Sequence, residues 1–201
     1  SPSEDTTTTD IIPRPSVTEP VVTNNTAGNV TLDVHVTDAE DGRDLTEGNV
    51  TIYAKLQGEG DDAYVPVGNG TIDENGMVTI VTNITVAGDY DFRADFGGNT
   101  NYTESNGTTS ATVVTRPTTT DIEVLNNTFE NVTVKVTVTD DTTGNPIPFG
   151  DVEITLPNGT VITVNTDENG ENVTSFDDIP VGEDKEFDAN YLGNDTYSPS
   201  E

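Results

Sequence analysis

The most frequent motif in this sequence that could carry chemistry is asparagine followed two positions later by threonine. With a residue other than proline between the two, this pattern is the acceptor for N-linked glycans. It occurs twelve times, whereas the composition predicts about four by chance. Frequent Asn in turns and Thr in strands would raise that count somewhat, but we expect several of these asparagines to be glycosylated. Those near predicted turns are the better candidates, namely Asn69, Asn101, Asn106, Asn158 and Asn194; the others are Asn24, Asn29, Asn49, Asn83, Asn126, Asn131 and Asn172.

Carboxylates form the second group of residues with chemical potential. Acidic clusters at 38–44, 59–62 and 177–178 could ligate calcium, which takes several oxygen ligands from a flexible loop. None follows the twelve-residue loop pattern with its glycine and terminal glutamate, so we interpret them as solvated turn carboxylates. His35 has no counterpart in the second half of the chain and no evident partner, which argues against a catalytic triad. The sequence therefore predicts no catalytic residue, no metal ion and no cofactor.

The charge balance excludes several kinds of partner. The 201 residues include 37 Asp plus Glu against 7 Lys plus Arg, a net charge of −30, and no cysteine. Such a surface repels phosphate backbones and anionic lipids, so we predict no nucleic-acid partner. No apolar run approaches the length of a membrane span. Without cysteine there is no disulfide framework, and the core must be stabilised by burial alone.

The elements that carry these residues are predicted to be strands. Val30, Leu32, Val34 and Val36 alternate with polar residues, and so do the valines from 132 to 138. This period of two is typical of a half-buried strand, and the abundance of Val and Thr fits pleated surfaces better than helices. We predict strands near 17–23, 29–37, 48–56, 63–68, 77–83, 90–96 and 108–114, and again near 119–125, 131–139, 150–156, 160–164, 171–177 and 185–191.

The sequence contains two copies of one unit. Sliding the chain by 102 positions aligns residues 3–52 with 105–154 without a gap, at 21 identities. Later matches include Asp-Glu-Asn-Gly at 73–76 and 167–170 and Phe-x-Ala-x-(Phe/Tyr)-x-Gly-Asn-x-x-Tyr at 92–102 and 187–197. The loop at 57–72 is eight residues longer in the first repeat. Each repeat has about the size of one β-sandwich.

These motifs resemble the immunoglobulin-like repeats of bacterial and archaeal surface proteins, notably archaeal adhesin-like proteins. The resemblance rests on Thr-Asp at the end of the second strand, the Asp-Glu-Asn-Gly turn and the closing aromatic motif. It implies an all-β fold of two tandem Greek-key sandwiches at the extracellular cell surface, without catalytic residues. The family includes adhesion, spacing and filament roles, so the resemblance does not choose among them.

The two ends of the sequence predict an unusual division into domains. Residues 5–14 align with 107–116, the last strand of the first repeat, whereas the sequence stops at Glu201, where the closing strand of the second repeat would begin. We therefore predict a donor-type strand within residues 1–15, one sandwich at 16–116 and an incomplete second sandwich at 117–201. The predicted donor residues are Thr6, Thr7, Thr8, Thr9, Asp10, Ile11 and Ile12.

Two functional interpretations follow from this division. The first is a subunit of a pilus- or thread-like filament, assembled head to tail by donor-strand complementation, with residues 5–14 of one molecule completing the second sandwich of the next. The alternative is a stalk segment of a tandem-repeat adhesin-like protein, cut from a longer array. The expected partners are other molecules of this chain or neighbouring repeats, N-linked glycans, and a host or cell-surface ligand. A third class, an enzyme or lectin carried on loops such as 57–69, is the least favoured.

Overall fold

The computed structural model describes residues 5–201, and it is all-β in that range. Its thirteen strands form four antiparallel sheets, and Asp61–Ala63 form a 3-10 turn. The chain divides into two compact units. Unit 1 contains residues 5–25, 29–84 and 88–113, and unit 2 contains residues 26–28, 85–87 and 114–201.

Unit 1 is a sandwich of a three-stranded and a four-stranded sheet, ordered β1-β2-β5 and β4-β3-β6-β7. In the constant-type immunoglobulin sandwich the fourth strand joins the sheet of the first. Here β4 pairs with β3 in the other sheet instead. The strands are β1 Ser16–Asn24, β2 Thr31–Asp38, β3 Asn49–Leu56, β4 Val65–Thr71, β5 Met77–Val81, β6 Gly88–Phe96 and β7 Ser105–Val113.

Unit 2 repeats this architecture with six strands. Its sheets are ordered β12-β9-β8 and β11-β10-β13, so each has three strands. All thirteen predicted strands are present, with ends that shift by a few residues. The strands of unit 2 are β8 Thr118–Thr128, β9 Asn131–Asp140, β10 Asp151–Thr155, β11 Val161–Asn165, β12 Glu171–Phe176 and β13 Asp188–Tyr191.

The core of each unit lies between its two sheets and consists of the alternate residues that the period of two singled out. In β2 the residues Leu32, Val34 and Val36 are fully buried, and their neighbours in sequence are half-buried on the outer face. Phe92 and Phe96 are buried in unit 1, and Tyr191 is buried in unit 2. Burying a side chain of this size contributes about 1.5–3 kcal/mol.

The Asp-Glu-Asn-Gly motif forms the same tight turn in both units. Asp73 Oδ1 accepts hydrogen bonds from the backbone N–H groups of Asn75 and Met77, at 2.8 and 2.9 Å. Gly76 and Gly170 both adopt a φ of 70°, a region that glycine enters without steric cost. These hydrogen bonds hold the pKa of Asp73 below its ordinary value, and the equivalent bonds from Glu171 and Asn169 lower the pKa of Asp167.

Candidate functional site

The edge of β6 in unit 1 shows how a complete sandwich of this sequence is closed. The strand β6 lies between β3 and β7, and its pairing with β7 runs from Gly88 opposite Val113 to Phe96 opposite Ser105. Val113 is 1% exposed, so the last residue of the closing strand is a core residue. From Tyr90 to Phe96, every residue of β6 therefore has a strand neighbour on both sides.

The equivalent edge in unit 2 is open. Its strand β13 pairs with β10 along its length, but on the other side the described chain offers only Ser200, which exchanges two backbone hydrogen bonds with Tyr191 at 2.8 and 3.2 Å. The strand also spans only Asp188–Tyr191, whereas β6 spans nine residues. Residues 183–187, which correspond to 88–92 of β6, are not in a strand, and Asp184 has a left-handed φ of 52°.

Residues 198–200 occupy the place where a closing strand starts. In unit 1 the hydroxyl of Thr18 lies 2.7 Å from that of Ser105. In unit 2 the hydroxyl of Thr120 lies 2.7 Å from that of Ser200.

A second contact of the closing segment is also the same in both units. The hydroxyl of Thr118 donates to the carbonyl of Ser198 at 2.8 Å, as the hydroxyl of Ser16 does to the carbonyl of Thr103. The start of the closing segment is therefore positioned in unit 2 as it is in unit 1. In the described chain, no residue beyond Ser200 pairs with β13 on this side.

A cavity of about 430 Å³ lies beside the open edge, within unit 2. Its lining is partly apolar and includes Val124, Val132, Ile179 and Phe187, together with Asn127. Phe187 is only partly buried, whereas its counterpart Phe92 is fully buried. Val181, at the rim, is 82% exposed. Core side chains of unit 2 are thus accessible where unit 1 is covered by β7.

The predicted donor segment forms no strand in the single chain that the structure contains. Residues 5–13 have no regular secondary structure and are exposed, with Ile11 and Ile12 90% and 79% exposed. Arg14 makes the first pairing, a parallel bridge to Tyr102 of its own unit. Pairing of Thr6 to Ile12 with another molecule therefore stays a prediction. Residues 1–4 of the predicted donor domain lie outside the described residues.

In each unit an arginine forms an ion pair with a buried aspartate, and we call this pair the arginine clasp. Arg116 Nη2 lies 2.6 Å from the carboxylate of Asp140, which is 2% exposed, and Arg14 Nε lies 3.0 Å from the carboxylate of Asp38. The backbone N–H of Ser198 also donates to the carbonyl of Arg116 at 2.8 Å. Each clasp therefore joins the entry of the first strand of its unit, the end of the second strand and the start of the closing segment.

The environment of Asp38 favours its charged form. Burial alone would raise the pKa of this carboxyl group, but the backbone N–H of Glu40 and the charge of Arg14 hold the pKa below its ordinary value. Arg43 also lies within 3.7 Å of Asp38. Arg14 and Arg43 thus pair with three of the four carboxylates of the acidic cluster at 38–44. Within residues 5–201 no group of His, Cys, Asp or Glu side chains is placed to hold a metal ion.

The expectation that His35 has no partner is wrong. Its Nε2 lies 2.7 Å from Oδ1 of Asp44, in the loop that follows β2. Both side chains are exposed, 37% for His35 and 46% for Asp44, and no nucleophile completes a triad in the contacts of the pair. An exposed pair of this kind contributes little to stability.

The longer loop of unit 1 folds onto the outer face of its four-stranded sheet. Arg93, on β6, stacks between two tyrosine rings, with centroid distances of 5.0 Å to Tyr53 and 4.9 Å to Tyr64. Its guanidinium also donates to both carboxylate oxygens of Asp95, at 2.8 and 3.0 Å. Because every face of Arg93 has a partner, this arrangement anchors the loop and does not present a free cation.

The predicted glycan acceptors lie at the surface in most cases. The five favoured asparagines, at 69, 101, 106, 158 and 194, are all exposed, as are those at 29, 49, 83 and 131. Asn24, Asn126 and Asn172 are half-buried, and the side-chain amide of Asn172 donates to the carbonyl of Asn165. Surface position is necessary for glycosylation, so nine of the twelve meet this condition.

Comparisons with known proteins give distant structural similarities only. No protein-family model and no curated protein matches the chain. Among solved structures, a tetra-tandem repeat in the extending region of a large adhesion protein aligns over 92% of this chain and 47% of its own, at 16% identity and a TM-score of 0.44.

Two further solved structures align less closely. The BSP domain of a biofilm-associated protein aligns over 91% of this chain and 28% of its own, at 15% identity and a TM-score of 0.32. A structure of the receptor tyrosine kinase Torso aligns over 94% of this chain and 72% of its own, at 10% identity and a TM-score of 0.27. The chain spans less than half the length of the first two structures. Similarities this distant do not assign a function.

No helix within residues 5–201 has the length and apolar character that a membrane-spanning helix needs.

Proposed function

We propose that this chain is a non-enzymatic, extracellular stalk segment of a tandem-repeat, adhesin-like surface protein. The observation that carries the proposal is the repetition of one sandwich, including its arginine clasp and its Asp-Glu-Asn-Gly turn, with the second unit open where β7 closes the first. In such an array the following repeat supplies the closing strand of the unit before it. The sandwiches act as spacers, and their acidic surface keeps a long protein soluble.

The local partners of the candidate chemical groups fit a structural role. The candidate chemical groups are satisfied by local partners, as with the pair of His35 and Asp44 and the stacked Arg93. With 37 acidic residues, some carboxylates approach each other by chance, so their proximity alone indicates no hydrolase.

A second candidate function is a subunit of a cell-surface filament assembled head to tail by donor-strand complementation. The exposed Ile11 and Ile12 favour it, because an apolar pair in a segment outside any strand suits addition to a sheet edge. Donor and acceptor belong to different parts of the chain, so the contact does not close on itself and extends into a fibre.

Immunoblotting of surface extracts from the source cells separates the two candidates. An antibody raised against the chain should label intact cells in either case. A stalk segment should give a denatured band much larger than a 201-residue chain. A filament subunit should give a band of about the size of this chain after full denaturation. Absence of label from intact cells would overturn both.

We also propose that several of the nine exposed Asn-x-Thr asparagines carry N-linked glycans. The support is the excess of this motif and the surface position of these residues. Peptide mass spectrometry of the protein from its native source, with and without a glycosidase, tests the proposal. Modification should concentrate on Asn69, Asn101, Asn106, Asn158 and Asn194, and unmodified peptides at all five would contradict it.

A further inference from the structure

We propose that the open edge of β13 is a receptor for the segment Asp5–Ile12 of a second molecule of this chain, bound as an antiparallel strand in a single register. The inference deepens the filament candidate above and rests on it. The register is defined by the pairing of β6 with β7, by the position of Ser200 in unit 2, and by the alignment of residues 5–14 with 107–116.

The register follows from two equivalences. Tyr191 faces Ser200 as Phe96 faces Ser105, so the unit 1 pairing applies to unit 2 without a shift. Residue 5 of the donor then continues the edge directly after Glu201. In this register Thr7 lies opposite Phe187, as Thr109 lies opposite Phe92, and Ile11 lies opposite Glu183, as Val113 lies opposite Gly88.

The cavity beside the edge lies where the side chain of Ile11 must go. Val113, the counterpart of Ile11, points into the core and is 1% exposed. Gly182 and Asp184, the two neighbours of Glu183, line the cavity of unit 2, together with the apolar side chains of Val124 and Val132. The chain thus carries an exposed apolar side chain and, in the matching register, a partly apolar cavity without a side chain from a closing strand.

Asn127 provides an independent polar contact in the same register. Its counterpart Asn25 donates from Nδ2 to the carbonyl of Thr112 in β7, at 2.7 Å. Asn127 is exposed and lines the cavity, and the carbonyl equivalent to that of Thr112 belongs to Asp10 of the donor. A donor strand in this register therefore meets both an apolar site and a side-chain donor that unit 1 also uses.

One position of the donor fits poorly, and it provides the sharpest test. Asp5 takes the place of Gly107, where an added Cβ would lie 2.0 Å from the carbonyl oxygen of Thr18. The strand must therefore lie farther from β8 at this point than β7 lies from β1. Replacing Asp5 by glycine should relieve the crowding, so in this register Asp5→Gly is expected to strengthen binding.

The experiment measures binding of a labelled synthetic peptide with the sequence of residues 5–14 to the full chain, by fluorescence anisotropy. The full chain carries Ile11→Asp, so its own segment cannot compete, and Ile11 is too exposed to affect the fold. Ile11→Asp in the peptide should weaken binding tenfold or more, because it removes a buried isoleucine. Asp5→Gly should strengthen it, and Thr8→Ala, at an outward position, should leave it unchanged.

Hydrogen exchange of the complex locates the bound strand. Backbone amides of residues 183–187 should become protected when the peptide binds, as those of 88–92 are within β6. Equal binding of the normal and Ile11→Asp peptides, or protection at another edge such as β4 or β12, would overturn the inference. So would the absence of binding by a receptor chain with a cooperative unfolding transition. These failures would leave the stalk proposal standing, since it depends on the size of the polypeptide at the cell surface.

Discussion

The two closing edges of this molecule share an aromatic motif but differ in structure. In unit 1 the strand β6 is nine residues long and is covered by β7, whereas in unit 2 the strand β13 is four residues long and has only Ser200 beside it. Residues 183–186 are all charged, a composition that is disfavoured in strands, and in the described chain no strand lies beside them. The longer strand of unit 1 therefore differs from the shorter one both in its outer neighbour and in its local composition.

The largest expected effect comes from removing the clasp of unit 2. Arg116→Ala leaves the buried carboxylate of Asp140 without its ion-pair partner, and breaking such a pair costs about 3 kcal/mol. Unit 1 should tolerate Arg14→Ala better, because β7 holds its closing segment independently and Arg14 is more exposed than Arg116. Urea denaturation should show a larger loss of unfolding free energy in Arg116→Ala than in Arg14→Ala. Equal losses of unfolding free energy would indicate that β7 does not stabilise the closing segment of unit 1 beyond the effect of the ion pair.

Supplying the missing strand in the same polypeptide should have the next largest effect. A chain extended after Glu201 by residues 5–14 should close unit 2, and residues 183–187 should join β13. The matched control carries Asp in place of both isoleucines of the appended strand. Burial of isoleucine contributes about 2 kcal/mol, so the two extended chains should differ by about 8–16 °C in the melting temperature of unit 2. Coincident melting curves would contradict an apolar receptor site at this edge.

Acid should lower the stability of unit 1 more than that of unit 2. In unit 1 the pKa values of Asp38, Asp73 and Asp91 lie below their ordinary value of 3.8, and in unit 2 the same holds for Asp167. A lowered folded-state pKa stabilises the fold above the ordinary pKa, and this stabilisation is lost as the pH falls through the lowered value. Thermal unfolding between pH 5 and pH 2 should show a larger decrease for unit 1. Asp73→Asn and Asp167→Asn should each reduce the pH dependence of their own unit.

The smallest effect is expected at Arg93, which contacts two tyrosine rings in unit 1. Arg93→Ala removes two cation–π contacts at a partly exposed site, worth about 0.5–1 kcal/mol each. The loop at 57–64 should exchange its amide hydrogens faster, while the core valines of β2 keep their protection. Arg43→Ala, which leaves the tyrosine stack in place, is the matched control. An unchanged loop in Arg93→Ala would show that backbone pairing of β4 alone positions it.

The fold was largely predictable because most of its strands have a recognisable pattern in the sequence. Alternating valines predict β2 and β9, and the internal alignment predicts which strands of the two units correspond. The shortening of β13 has a weak signal in the sequence, the four charged residues at 183–186, which are disfavoured in strands. The local pattern alone does not set the length of this strand, because its outer neighbour in unit 1, β7, is a separate segment of the chain.

The contacts of the site were less predictable than the strands. Arg14 with Arg116 and Asp38 with Asp140 recur in the alignment, so a signal for the clasp existed, but spacing along the chain does not show that the two side chains meet. The stack of Tyr53, Arg93 and Tyr64 depends on how a long insertion folds back over a sheet. Such pairing is decided by the tertiary structure, and the sequence pattern carries no trace of it.

The short β13 also leaves a protease site in a segment that is not paired. Lys185 is an exposed trypsin site in a backbone stretch that no neighbouring strand holds, whereas Lys55 and Arg93 lie within paired strands. Proteases cleave segments that can leave the fold and enter their active-site cleft. A single nick after Lys185 would separate β13 from the preceding chain, although its ladder with β10 would still hold it in place. Resistance of this one bond to digestion would mark molecules whose edge is occupied.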